Sequence, residues 1–561
     1  MNKIIINNWK SIIICLLLTF IFCIPLFDDS LYVGYDLSFH LNRLIGIADS
    51  IRDGQIIPKL YPYTNFGYGY ASPLFYCDLF LYPFALLYIF KLPILMCYKI
   101  MILFYTFIGI FSMNKVGKLI FKDNNMALII TIVFTFLPFR FIDCYLRNAL
   151  GQYIAFSLIP LLLYVFYSLF YLKKNCYVLL GITFSLFLLC HNISFILYCI
   201  LFLVLILVYI IYNYKDSKEI IRLFKCILKG VSISILLTLW FTLPMLEQFL
   251  DQEFFINTID KKFDIGSDTA NIFSMLNIFM NIDGYMVTGL EMSKYGLGLI
   301  LICIPMYNYF NNSNIYIKAL TSIFYFFILV VSGLIRLDYI LPIEFIQFSF
   351  RYYIILSLLV LIPFTHAISK LNKYLIMVLL FSYSIYLFPV YNHIINGEIG
   401  RMNNKATYDN IFVSSNNDQF DYNEFQISGA EYLPINYYNS FRNDTTFIKK
   451  VEDKNVIDYI YEYDRYFSEI KFNHNSDTKD TLMLPLSYYK GYKAYYIDNE
   501  EYIELETINN EKYRKVSIET VPGNYCYIVK YVGTNIQFSS MVISLLTILI
   551  LIIFRIKLGK R

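Results

Sequence analysis

The sequence predicts a polytopic α-helical membrane protein that carries one mostly β domain outside the bilayer. Three observations predict it. Of 561 residues, 58% are hydrophobic and only 16% charged, against roughly a quarter charged in soluble chains. Apolar runs of about 20 residues, the length that crosses a bilayer, recur along the chain. One long polar stretch, 393–537, then interrupts that pattern near the end. A soluble cytosolic enzyme is excluded by the first two.

The first span is Ser11–Phe27, preceded by Lys3 and Lys10. No small-residue cleavage site follows, so it reads as an uncleaved span rather than a signal peptide. Loops rich in Lys and Arg stay in the cytoplasm. That rule puts the N-terminus inside and Asp28–Tyr76 outside. Pro93–Met113 returns to the basic turn of Lys115, Lys118 and Lys122. Only one span can separate that turn from the outer loop. The apolar Leu74–Phe90 therefore lies in or dips into the outer interface.

The alternation continues with Met126–Phe139 out, Tyr153–Leu172 in, Tyr177–Cys190 out and Ser194–Tyr212 in. Cys226–Leu243 then leads to an outer loop from Pro244 to about Met292. Tyr295–Tyr309 returns, Ile317–Leu334 goes out, Tyr352–Ile368 returns and Tyr374–Tyr391 goes out. Phe538–Phe554 ends in the basic tail Arg555–Arg561. The sum is about twelve spans in the plasma membrane, with both ends in the cytoplasm.

The expected domains are a multi-span part, 1–392, an extracytoplasmic part, 393–537, and a last span with its tail, 538–561. The outer part holds 15 Lys+Arg and 22 Asp+Glu, net −7, and the remainder is net +11. A basic membrane body with an acidic outer domain fits the orientation and gives no reason to propose a nucleic-acid partner. Short alternating runs such as Tyr492–Ile497 and Tyr525–Val532 read as strands; Asp453–Phe467 reads as a helix. The eleven cysteines sit mostly in apolar runs and form no disulfide framework.

Chemistry concentrates at the outer face. Asp36, His40 and Arg43 are spaced i, i+4, i+7, which on a helix puts them on one face. Leu37, Leu41, Leu44 and Ala48 line the adjacent face, so the segment reads as a short amphipathic helix on the outer membrane surface. Arg140, Asp143 and Arg147 follow i, i+3, i+7 where the third span emerges. Charges near lipid are costly unless they line a polar cavity or hold a ligand. Glu247 and Arg351 stand at two further outer span ends. Gly67-Tyr68-Gly69-Tyr70 suits a tight loop, and His191 ends another span. Arginines match phosphate oxygens with paired donors. A carboxylate deprotonates a hydroxyl or binds a divalent cation. The sequence has no P-loop, dinucleotide glycine fingerprint, zinc spacing or nucleophile elbow, so a donor would arrive through the membrane.

The run Asp36-Leu-Ser-Phe-His40-Leu-Asn-Arg43, with Gly67-Tyr-Gly69, Ser72-Pro73 and Phe75-Tyr76, resembles the integral-membrane family labelled 6-pyruvoyl-tetrahydropterin synthase-related. So do Arg140-Phe-Ile-Asp143-x3-Arg147-Asn-Ala-Leu-Gly151, Gln347-Phe-Ser-Phe-Arg351, Gly429-Ala-Glu-Tyr-Leu-Pro434 and Pro485-Leu-Ser-Tyr-Tyr-Lys-Gly491-Tyr. The later pieces also resemble the outer domain of YfhO-like membrane proteins. Both families are similar to the GT-C superfamily of glycosyltransferases, and nothing in the sequence looks like a pterin site. The resemblance implies a GT-C-like fold, Asp36 as base, Asp143 as second-loop acid and Arg351 on donor phosphate. If a metal is used, Mg or Mn would sit on Asp36 and Asp143. Relatives often carry Glu where this chain has Gln152, which puts metal dependence in question.

The expected function is transfer of a sugar from a polyprenyl-phosphate donor to a cell-surface glycan, polymer or lipid acceptor. Asp36 and Asp143 would be catalytic. His40, Arg43, Arg140, Arg147, Glu247 and Arg351 would bind substrate. The alternatives are a transporter or flippase of lipid-linked sugars, marked by broken helices or inverted repeats, and a non-catalytic cell-envelope assembly protein.

Overall fold

The computed structural model describes residues 2–34, 36–65, 67–257, 297–311, 313–336, 346, 349–372, 374–379, 381–384, 401–403, 431–435, 448–452, 455–460, 463–466, 469–510 and 512–559. Of the sequence motifs, Gln347, Phe348, Gly429 and Ala430 lie outside them.

Seven helices among the described residues are long and apolar enough to cross a membrane, which fits a multi-pass membrane protein: Trp9–Phe27, Ile94–Phe121, Leu150–Tyr171, Asn192–Asn213, Ser217–Asp251, Phe350–Ile368 and Asn535–Phe554. A pair bent by 47°, Asn124–Thr135 with Pro138–Leu146, makes an eighth. The number falls short of the twelve expected for a geometric reason. Three other expected spans fall on Tyr177–Cys190, Leu299–Phe310 and Ile315–Val331, apolar helices of 10–17 residues. At 1.5 Å per residue these reach about 25 Å or less, under a ~30 Å hydrocarbon core. The expected span Tyr374–Tyr391 lies partly outside the described residues. The stretch expected to stay at the interface holds only α3, Ser72–Phe75, and α4, Tyr82–Ile89, both too short to cross.

The chain forms two compact units whose bounds differ from the linear division at 392 and 537. One gathers Met1–Leu37, Tyr98–Ser234 and Asp260–Ala406; the other gathers Ser38–Cys97, Ile235–Ile259 and Thr407–Arg561. The first unit holds α1 (Asn2–Cys23), nearly all of α5 (Ile94–Phe121), α6 (Asn124–Thr135), α7 (Pro138–Phe141), α8 (Leu150–Phe166), α9 (Tyr177–Cys190) and α10 (Asn192–Asn213). It also holds the start of α11 (Ser217–Asp251) and a two-stranded ribbon of β1 (Ser30–Tyr32) with β2 (Arg401–Asn403). Gly181 and Gly230 bring α9 and α11 together so closely that a Cβ on Gly181 would stand 2.7 Å from the Gly230 carbonyl.

In the second unit, two five-stranded antiparallel sheets enclose one core. The first runs β10-β11-β7-β3-β4 and the second β5-β6-β12-β8-β9. Their strands are β3 (Ile448–Glu452), β4 (Asn455–Ile460), β5 (Asp464–Tyr466), β6 (Glu469–Ser476), β7 (Thr481–Ser487), β8 (Tyr492–Asp498), β9 (Glu501–Leu505), β10 (Thr507–Asn509), β11 (Lys515–Glu519) and β12 (Gly523–Tyr531). The expected strands at 492–497 and 525–532 are β8 and β12. The helix expected over Asp453–Phe467 is instead β4 and β5, as Val456, Ile457, Tyr459 and Ile460 favour. Leu484, Leu486, Ile470, Phe472, Ile518 and Val529 are buried between the sheets. Leu60, Leu74, Phe75 and Phe254 join the same core. That shared burial is why 38–97 and 235–259 belong with the β strands.

Candidate functional site

The acid-bearing turn after α6 is built by a sequence of backbone breaks. Pro138 opens α7, where its fixed φ and missing N–H suit the first helical turn. After Phe141 the chain widens into a π turn, Ile142–Leu146, and Arg147 N–H bonds the Ile142 carbonyl at 2.9 Å, five residues back. Such π segments often occur at functional sites. Asn148 then takes a left-handed φ of 53°, and α8 starts two residues later.

This turn grips the first-loop acid through main chain. Asp36 N–H donates to the Arg147 carbonyl at 3.0 Å, and Gly34 N–H donates to Asn148 Oδ1 at 2.6 Å. A Cβ on Gly34 would lie 2.3 Å from the Leu146 carbonyl oxygen, so glycine is needed for this approach.

The charged groups of the two segments form one cluster. Arg147 Nη1 donates to Asp143 Oδ1 at 2.7 Å and to Gln152 Oε1 at 2.9 Å. The side chain of Asp143 is fully buried, and its Oδ2 accepts no hydrogen bond among the described residues. Arg351 acts electrostatically on both Asp36 and Asp143. Asp36 is half-buried. Desolvation raises its carboxyl above the ordinary value, against the pull of Arg147 and Arg351. Two acids and two guanidinium groups thus act on one another, with Asp36 half-buried.

Arg140 does not join them. Its guanidinium is buried among the rings of Phe134, Phe22 and Tyr153, at 4.5, 5.1 and 5.4 Å from their centroids. The i, i+3, i+7 reading assumed a uniform α-helix; the π turn rotates Asp143 and Arg147 away from Arg140.

The first-loop helix α2, Leu37–Arg52, begins one residue after Asp36. It is no surface helix: His40, Arg43, Leu37, Leu41, Leu44 and Ala48 are all buried. Arg43 donates from Nε to Asp78 Oδ1 at 2.7 Å and from Nη2 to the Cys77 carbonyl at 2.8 Å, while Nη1 lies 3.1 Å from His40 Nδ1. Tyr76 stacks 4.2 Å from the guanidinium carbon, and Tyr61 O–H donates to Asp78 Oδ2. Burial pushes the Asp78 carboxyl up, opposed by Arg43 and Tyr61. The described contacts of Arg43 and His40 therefore lie within their own unit, where the spacing reading had set them on one face with Asp36.

Glu247, on α11, accepts from Thr534. Gly67 and Gly69 take left-handed φ values of 83° and 87° in a turn whose Tyr68 carbonyl accepts from Ser487 N–H at 2.8 Å, so the turn anchors the β strands. His191 caps α10 by accepting from Ser194 N–H at 3.1 Å.

The residues do not fit a divalent cation. Asp143 is already paired with Arg147, and Gln152 Oε1, the natural third oxygen, accepts from Arg147. Among the described residues no group of three or more His, Cys, Asp or Glu side chains is placed to hold a metal ion.

Sequence reasoning missed Asp78, Tyr61 and Asn148, whose partners lie 17, 35 or 114 residues away. No spacing signal marks them. Gln152 was visible as a departure from a motif, though not as the second acceptor of Arg147.

One relative is similar over part of the chain: an uncharacterised protein of Lactococcus lactis subsp. cremoris (strain MG1363), 28% identical over 250 residues. The match covers 43% of this chain and 40% of that protein, so the chain spans less than half the length of this relative. No family model and no solved structure matches.

Proposed function

We propose that the chain is a GT-C-type glycosyltransferase of the plasma membrane, with twelve spans, the shorter apolar helices crossing where the bilayer thins around them, and both termini in the cytoplasm. It moves a sugar from a polyprenyl-phosphate donor to a hydroxyl of a cell-surface glycan, polymer or lipid. What supports the reading is the cluster of half-buried Asp36 with Asp143, Arg147 and Arg351. The acceptor oxygen attacks the anomeric carbon as the bond to the donor phosphate breaks. Asp36 takes the hydroxyl proton, and polyprenyl phosphate leaves. Arg351 and Arg147 offset the charge that gathers on the departing phosphate. Asp143 holds Arg147 in place. Arg43 and His40 hold α2 to Cys77 and Asp78 rather than binding phosphate, and Glu247 ties α11 to Thr534. The sandwich of β3–β12 binds the acceptor on the outer face. No step runs through Mg or Mn.

The test is an Asp36→Asn variant shown to insert at the normal level. Loss of the surface modification in that strain is expected; an unchanged surface would defeat the assignment.

A second reading is favoured by one observation, the 47° bend between Asn124–Thr135 and Pro138–Leu146. Transporters build binding sites from broken spans. Purified protein in liposomes separates the two readings. A flippase moves the lipid-linked sugar across the bilayer intact, whereas the transferase forms a new glycosidic bond.

A further inference from the structure

A cavity lies in the first unit, between the start of α9 and the first half of α11, with a volume of about 330 Å³. Its wall includes Asn175, Tyr177, Lys218, Arg222, Lys225 and Lys229. The four cations are spaced i, i+4, i+7, i+11, which lines them along one face of α11. A basic loop satisfies the inside-positive rule with its charges anywhere. It does not require four of them in register on a cavity.

The local structure explains why the face stays basic. Arg222 donates to the Leu169 and Lys174 carbonyls at 2.9 Å, pinning α11 against the α8–α9 turn. Glu219, the acid nearest the cavity, is consumed by Arg222 at 2.6 Å and by the Tyr209 hydroxyl at 2.6 Å. Its charge therefore does not cancel Lys218, Lys225 and Lys229. Lys229 Nζ lies 5.3 Å from the Tyr177 ring centroid. At the same place α9, a 14-residue helix, starts without any capping side chain, and its first residue, Tyr177, lines the cavity.

The surface next to the cavity is apolar. Ile221, Phe224 and Leu228, on the same turns of α11, are 52%, 57% and 69% exposed. A run of cations beside exposed apolar side chains matches an amphiphile with an anionic head. It does not match a free anion in water.

We propose that this cavity binds the headgroup phosphate of an anionic glycerophospholipid, with the acyl chains lying along Ile221, Phe224 and Leu228. Lys218, Lys225 and Lys229 supply the charge; Arg222 and Asn175 shape the floor. The assignment is independent of the sugar-transfer reading, because none of these residues belongs to the Asp36 cluster.

The experiment is native mass spectrometry on the purified full chain in detergent, titrated with phosphatidylglycerol or phosphatidylcholine. Phosphatidylglycerol is expected to remain bound and phosphatidylcholine to be lost. Lys225→Gln with Lys229→Gln should weaken phosphatidylglycerol about tenfold or more, since each juxtamembrane cation contributes about 1 kcal/mol. Lys225→Arg with Lys229→Arg should retain it. So should Lys173→Gln with Lys215→Gln, which removes two charges outside the cavity. Equal weakening in that control pair would overturn the site, as would equal retention of phosphatidylcholine. Complete displacement by millimolar inorganic phosphate would overturn the lipid assignment in favour of a free anion.

Discussion

Arg147 bonds Asp143 Oδ1 at 2.7 Å from within the turn that also receives Asp36 N–H on the Arg147 carbonyl. One residue thus holds the second acid by its side chain and the first by its backbone. That dual role makes the turn 142–148 the mechanical centre of the site.

Removing the guanidinium strands a fully buried carboxylate. Arg147→Met should cost about 3–5 kcal/mol, whereas Arg147→Met with Asp143→Leu should recover most of the loss, because an apolar pair of similar volume replaces a buried ion pair at little cost. Thermal unfolding in detergent reads both. Activity should stay lost in the double variant, since the second acid is gone.

Gly34→Ala tests the backbone grip. The new methyl meets the Leu146 carbonyl oxygen at 2.3 Å and Asn148 Oδ1 at 2.6 Å, so the first loop must shift. A destabilisation of about 1–3 kcal/mol is expected, with faster amide exchange at 34–37 than in the parent protein.

In the proposed transfer Asp36 would act as a base only when ionised. Burial raises its carboxyl above the ordinary range, and Arg351 opposes that rise. Transfer should therefore increase with pH along an acid limb lying above the usual aspartate value of about 3.9. Arg351→Gln removes an opposing cation and should move the limb further up. A limb that stays in place would show that Arg351 does not act on the base.

Lys59 provides a stability readout in the second unit. Burial lowers its ammonium from 10.5 to about 8, against Cys77 and Asp78, which favour the charge. Its Nζ sits 5.1 Å from the Trp240 ring centroid. Between pH 8 and 10.5 the unfolded chain binds the proton more tightly than the folded one. Stability from this group therefore rises with pH across that window and is lowest below it. The unfolding temperature should follow that rise, and Lys59→Met should flatten it.

Much of the fold was legible in local composition. Leu484, Leu486, Ile470 and Phe472 announce buried strands, and Trp9–Phe27 or Asn192–Asn213 announce spans, because burial in lipid or in a core selects apolar residues wherever they stand. Span length was less legible: Tyr177–Cys190 and Ile315–Val331 are apolar yet shorter as helices than the seven long ones. The candidate site was legible as an inventory. Asp36, Asp143, Arg147 and Arg351 stand out as charges at the ends of apolar runs.

The sequence by itself determined the membrane character, the mostly β part with its net negative charge, and the short list of acids and cations. Only the tertiary structure decided the pairings: Asp36 with Arg147 and Arg351, Arg43 with Asp78, and Arg140 with three aromatic rings. Spacing rules hold only while the helical period is unbroken. Here Pro138, the π turn at 142–146 and the left-handed Asn148 reset that period, and the partners come from segments distant in the chain.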